Sequence, residues 1–177
     1  LSAFEYWLSM AGTIAFASTA VLAVAAKGID VFGAVIMGII TAVGGGTIRD
    51  VILDVPVFWG SDLGYIWFAM AASIVTYYAQ SFVSSRYVYS LMLYLDAAAV
   101  AMFAILAASK VLDAGFGGAA GPVLLGIATA VGGGLTRDVL AGNETLLMKK
   151  ELYAVPVTIG TVLFVAALPY FPEGELV

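Results

Sequence analysis

The decapeptide "AVGGGTIRDV" occupies residues 42–51, and "AVGGGLTRDV" occupies residues 130–139, 88 positions further on. Extended to the left, "GIITAVGGGTIRDV" (38–51) aligns without a gap to "GIATAVGGGLTRDV" (126–139). Only Ile40/Ala128, Thr47/Leu135 and Ile48/Thr136 differ. Three consecutive glycines suit a helix poorly, and an Arg-Asp pair suits an apolar stretch poorly. A chain that writes both twice, in the same order, is built from two related halves. Fainter matches extend the relation to the start of each half: Ser9 sits like Asp96, Gly12 like Ala99 and Phe16 like Phe103.

The solvent for most of the chain is lipid. Of 177 residues, 63% are hydrophobic and only 11% are charged, with a mean hydropathy of +1.06. A water-soluble domain of this length needs many more charges to cover its surface. Cysteine is absent, so there is no disulfide framework and no redox compartment to read. Histidine is absent too, which removes the commonest acid–base side chain and metal ligand. A net charge of −5 leaves no basic stripe for nucleic acid. Opening on Leu1, the chain is expected to have lost an initiator or a short leader. Residues 4–26 are too long for a signal-peptide core and lack a basic flank, so they read as a span.

Six apolar runs are long enough to cross about 30 Å of hydrocarbon. They lie near 4–26, 31–54, 62–83, 88–110, 116–141 and 152–170. Short connections carry most of the charge, and aromatics such as Trp7, Trp59, Trp67, Tyr77, Tyr87 and Tyr170 gather near the ends as an interfacial belt. The expected fold is therefore an all-α membrane protein of one domain over 1–177, with repeat 1 at about 4–83 and repeat 2 at about 88–170. Three spans per repeat make the second copy enter from the opposite side, so the halves are inverted. Lys27, Arg86, Lys149 and Lys150 fall in the odd-numbered connections, while Lys110 alone falls in the even-numbered ones. That bias predicts an N-terminus outside the cell membrane.

Each glycine costs about 1 kcal/mol against alanine inside a helix, so three in a row invite a break. A break in lipid survives only where it is buried in protein or lines water. Close packing of two helices is the competing account, because small residues let backbones approach. Packing suffices for isolated Gly33, Gly38, Gly121 and Gly126. The duplicated triplets, Gly44, Gly45 and Gly46 with Gly132, Gly133 and Gly134, favour breaks in the second and fifth helices beside an ion path. Thr41 and Thr129, about one turn earlier, could add hydroxyls to its lining. Glycine-rich strings also suggest phosphate loops, but GGGTIRD lacks the Lys-Ser/Thr ending and no strand precedes it, so nucleotide binding is excluded.

Arg49-Asp50 and Arg137-Asp138 follow each triplet by three residues. Charges in a span face a partner or a water cavity, which predicts a charged vestibule at each membrane face. Adjacent residues point about 100° apart on a helix, so each member is expected to find its partner on another helix. Asp96 is the candidate for Arg137, as counter-ion or as part of the path. Ser9 stands at the equivalent place in the first half, leaving Glu5 as the candidate for Arg49.

The paired TAVGGGxxRDV, "PVFW" at 56–59 and "ELYAVP" at 151–156 together resemble the trimeric intracellular cation (TRIC) channel family, whose prokaryotic members overlap the bacterial glycine-transporter-domain proteins. The resemblance covers about 4–168. It implies a homotrimer in membrane lipid, one pore inside each subunit, helices bent at the glycine triplets, and permeation by K+ or Na+ without a cofactor. It also implies a seventh helix; only "PEGELV" (172–177) follows the sixth span, so none is expected within these residues. The third span, "MAASIVTYYAQ" (70–80), has no basic residue for voltage sensing, and Lys110 is the nearest basic candidate for gating. Two functional classes fit the residues: a passive cation channel, and a secondary transporter of glycine or a similar small zwitterion using the same helices. The resemblance favours the channel. No acid cluster has metal spacing, so an enzyme is not expected.

Overall fold

A computed structural model describes residues 2–82, 85–148 and 154–170. Ser84, Lys149, Lys150, Glu151 and the PEGELV segment lie outside those residues. Every regular element among them is helical. Helix α1 (Ala3–Val24) opens on a capping box, in which the Glu5 amide donates to Ser2 Oγ at 3.2 Å and the Ser2 amide to Glu5 Oε2 at 2.9 Å. Helix α2 (Val31–Ile52) starts at Asp30, whose carboxylate accepts from the Gly33 amide at 2.7 Å. A short α3 (Phe58–Ser61) leads into α4 (Gly64–Ala79), followed by α5 (Ser85–Asp113), α6 (Ala120–Ala141) and α7 (Ala154–Ala167).

Helix α1 is the axis of the bundle: it packs against α2, α4, α5 and α6. Its buried face is built mostly from small residues, with Met10, Phe16 and Leu22 among the larger ones, and the Phe16 ring stacks on Phe103 of α5 at 5.4 Å. Helices α2 and α6 pack on each other, and α7 lies across α5 and α6. Among the described residues, four helices are long and apolar enough to cross a membrane: α1, α2, α6 and the Tyr87–Asp113 part of α5. The third and sixth expected spans are shorter, at 16 residues in α4 and 14 in α7. Each is tightened at its C-terminal end into a 3-10 turn, Gln80–Phe82 and Leu168–Tyr170, and α3 takes part of the connection before α4. At 1.5 Å per residue the described α-helical parts reach about 24 and 21 Å, and the 3-10 turns lengthen both.

The expected breaks at the triplets are not there. Both α2 and α6 run as unbroken α-helix through 44–46 and 132–134. The physical reason lies across the bundle. A Cβ on Gly45 would sit 2.0 Å from the Thr129 carbonyl oxygen, and one on Gly133 would sit 2.6 Å from that of Thr41. The relation is reciprocal, since Thr41 and Thr129 are 88 residues apart, as are Gly45 and Gly133. Two helices cross backbone to backbone at this point, and only glycine lets them. The carbonyls are therefore packed against the partner helix rather than turned into a water-lined gap. Gly46 is tight for another reason, because its Cβ would meet the Phe58 ring at 2.6 Å.

Not every glycine in the triplet is constrained. A Cβ on Gly44 would meet nothing within 4 Å. Gly44→Ala is expected to be neutral or to stabilise by up to about 1 kcal/mol, since it removes only the helix penalty of glycine. A thermal melt of the purified protein checks this, and a drop in Tm would mean that a neighbour closes on Gly44.

Candidate functional site

The charged residues gather at opposite ends of the bundle. At the end holding the start of α1, Arg49 Nε donates to Asp50 Oδ1 at 2.8 Å, and Arg49 Nη2 lies 2.7 Å from the same oxygen. Lys110, from the last turn of α5, donates Nζ to that oxygen at 2.8 Å. The Phe58 amide donates to Asp50 Oδ2 at 2.9 Å, and the Phe58 ring lies 5.8 Å from the Arg49 guanidinium. Asp50 is fully buried, whereas the Lys110 side chain is 37% exposed. Beside this cluster is a cavity of about 370 Å³ with Glu5, Ser9, Arg49, Tyr65, Lys110 and Asp113 in its wall and Phe103 at its inner edge.

At the other end, Arg137 is completely buried and holds two carboxylates. Its Nε donates to Asp138 Oδ1 at 2.8 Å, and its Nη1 donates to Thr19 Oγ1 at 2.9 Å and to Asp96 Oδ1. The Leu146 amide donates to Asp138 Oδ2 at 3.1 Å. Asn143 Nδ2 reaches the Ala23 carbonyl at 3.2 Å, and Lys27 Nζ reaches that of Ala141 at 2.5 Å, tying the ends of α1 and α6 together. The two ends differ in charge. Asp50 gathers two cations, whereas Arg137 gathers two carboxylates.

Sequence reasoning sent Arg137 to Asp96, and the structure brings them into an ion pair. It also joins each Arg to the Asp beside it, contrary to the expectation of partners on other helices alone. The 100° rule describes where the Cβ atoms point, but the arginine stem is long enough to fold back along its own helix. Among the described residues Glu5 does not pair with Arg49: its carboxylate caps α1, though both side chains face the same cavity. Thr19, Phe58 and Tyr65 were not anticipated as site residues. Phe58 alone had a signal, because the "PVFW" motif puts its amide eight residues past Asp50, and Leu146 repeats that spacing after Asp138.

The contacts of one half recur in the other. Asp50 and Asp138 each accept an amide at +8 on the side chain and an amide at +5 on the carbonyl, from Val55 at 3.0 Å and Asn143 at 2.8 Å. A Cβ on Gly38 would lie 3.3 Å from the Ala17 carbonyl, and one on Gly126 would lie 3.1 Å from that of Ala104. A family model described as "Glycine transporter" matches twice, over residues 6–81 and 93–169. The chain belongs to this family.

Solved structures carry the family further. The TRIC trimeric intracellular cation channel orthologue from Rhodobacter sphaeroides matches with a TM-score of 0.90 at 33% identity, over 98% of this chain and 88% of that one. A prokaryotic TRIC channel in 0.5 M KCl matches with a TM-score of 0.91 at 28% identity, over the same shares. The UPF0126 inner membrane protein YadS of Escherichia coli K12 is 38% identical over 167 residues, covering 92% of this chain and 78% of its own length. This TRIC-family chain is a membrane protein, and its family and structural neighbours are channel or transporter proteins rather than enzymes.

Proposed function

We propose that this protein is a channel for monovalent cations, K+ and Na+ among them, with a path inside each subunit of a homotrimer in the cell membrane. The observation that carries the reading is the match over 98% of the chain to a structure of a cation channel. The recurring contacts support two inverted halves, at about 4–83 and 88–170, with the path between them. The cavity beside Arg49 is its outer vestibule, where the Glu5 and Asp113 carboxylates favour cations over anions. The Asp96–Arg137–Asp138 cluster stands at the inner end, and the N-terminus is outside. Thr41, Gly45 and Gly133 form the narrow middle, where α2 and α6 touch, while the Thr129 hydroxyl is committed to the Leu125 carbonyl and stays out of it.

The described conformation is closed. Phe103 stacks on Phe16 at the inner edge of the vestibule, and the Lys110 ammonium occupies Asp50, a place that a permeating cation would otherwise visit. Lys110→Met should therefore raise open probability several-fold, since the Coulomb attraction holding a partly exposed ammonium is modest. Lys110→Arg should stay near wild type. Equal open probability in the methionine variant would remove Lys110 from gating.

Purified protein in a planar bilayer under a K+ gradient tests the function itself. Discrete cation-selective currents are the expected result. Saturable glycine uptake into vesicles without such currents would replace the channel by a carrier.

A further inference from the structure

We infer that the Thr41 hydroxyl is a ligand for a cation stripped of part of its water at the narrow middle of the path, and that it makes this protein's ion selectivity a property of its first half. The inference rests on the channel reading. It starts from an asymmetry between two equivalent residues. Thr129 Oγ1 donates to the Leu125 carbonyl one turn back, at 2.6 Å. The other described threonines of the long helices are engaged in similar ways: Thr13 with Ser9, Thr19 with Phe16, Thr47 with Val43, and Thr136 with Gly132. Thr41 is buried to 1% exposure, yet its Oγ1 has no hydrogen-bond partner.

A buried hydroxyl without a partner is a standing penalty that native structures avoid, and inside a membrane protein no bulk water relieves it. An ordinary helical threonine removes that penalty by turning its hydroxyl to the carbonyl one turn earlier, as Thr129 does. Leaving Thr41 unpaired keeps two lone pairs free. The place fits a permeant ion. Thr41, Gly45 and Arg49 fall at i, i+4 and i+8, on one stripe of α2, and Arg49 lines the vestibule. Thr41 thus lies about 12 Å deeper along the same stripe. Its carbonyl and the Phe16 ring both border Gly133, and Phe16 stacks on the vestibule's Phe103. When the aromatic stack parts, the next oxygen not already committed to the protein is Thr41 Oγ1. A neutral hydroxyl binds an alkali cation weakly enough to release it, as conduction demands.

The test compares Thr41→Val with Thr129→Val, which are equal in shape change and differ in whether the hydroxyl is already committed. In bilayers with K+ on one side and Na+ on the other, Thr41→Val should shift the K+/Na+ permeability ratio by about two- to tenfold, the weight of one neutral ligand. Thr129→Val and Thr41→Ser should keep the wild-type ratio. A second readout needs no current: the Tm of detergent-solubilised protein in about 0.3 M KCl against N-methylglucamine chloride of equal strength, since a bound ion stabilises the folded state. Wild type and Thr129→Val should gain Tm from K+, and Thr41→Val should not. If Thr41→Val fails to assemble, Thr41→Ala carries the same contrast against Thr41→Ser. An unchanged ratio together with the full K+ increment in the hydroxyl-free variant overturns the proposal, as does a wild type that K+ leaves unmoved. Absence of any wild-type current defeats the channel reading instead, and the K+ increment then decides the Thr41 site alone.

Discussion

Gly45→Ala should prevent this protein from folding to its native bundle, although it adds a single methyl group. That methyl would arrive 2.0 Å from the Thr129 carbonyl oxygen and 3.3 Å from the Gly133 nitrogen. Both are backbone atoms of α6, so no side chain can rotate away, and the two helices must part. Overpacking a core costs about 1–3 kcal/mol when neighbours can shift, and more when they cannot. Separation also removes the contact in which a Gly45 Cα–H faces the Thr129 carbonyl, worth perhaps 0.5–1 kcal/mol. A loss above about 3 kcal/mol is a large share of the total stability of a domain. Gly133→Ala meets Thr41 O at 2.6 Å and should cost less, while Gly132→Ala, whose Cβ finds only Gly45 Cα at 3.5 Å, should be tolerated. The graded series, Gly45 worst, Gly133 next, Gly132 and Gly44 mild, is the signature of a helix crossing. Gel-filtration yield and Tm in detergent measure it. A folded Gly45→Ala protein of unchanged Tm would sink this account of the triplets.

That series also says why part of the fold was legible in the sequence and part was not. The long spans follow from runs of apolar residues, because lipid imposes its thickness on any helix that crosses it. The duplicated 14-residue motif disclosed two halves, since nothing but a repeat writes GGG and RD twice at one offset. The role of the triplets was misread because glycine's helix penalty is a local quantity, visible in one segment, whereas the contact that requires glycine joins residues 88 apart. The duplication held the correction: Gly45 approaches α6 at Thr129 where Gly133 approaches α2 at Thr41, so the equivalent residues of the two copies meet each other. Arg137–Asp96 was legible because a charge in a span needs a counter-charge. Its third contact, Thr19, was not, because a threonine among the small residues of α1 reads the same whether or not an arginine reaches it.

Arg137→Gln should be the most damaging change in the Asp96–Arg137–Asp138 cluster, worse than loss of either carboxylate. Arg137 is fully buried and carries one positive charge between two negative ones, Asp96 and Asp138. Removing it leaves two carboxylates with a mutual repulsion that the guanidinium had offset, and breaking a buried pair costs about 3–5 kcal/mol. Asp96→Asn is different in kind. It takes away one of two counter-charges, and Asp138 still holds Arg137 Nε at 2.8 Å. Its cost belongs at the lower end of that range, with flux through the proposed path reduced because this end of it loses a negative charge. The double variant Asp96→Asn/Arg137→Gln leaves Asp138 alone, fixed by the Leu146 amide, and replaces the ion pair by two amides of similar shape. With a coupling of about 2–3 kcal/mol, near the upper limit for contacting residues, it should cost about as much as Arg137→Gln alone, well short of the sum of the two losses. At roughly 2–4 °C of Tm per kcal/mol for a chain of this size, Arg137→Gln below Asp96→Asn, with the double variant near Arg137→Gln rather than at the sum of the two losses, is resolvable in a melt. Flux recovered in the double variant would tie the same pair to conduction. Strictly additive losses in both measurements would mean that Arg137 and Asp96 act independently, and that Asp138 alone neutralises the buried guanidinium.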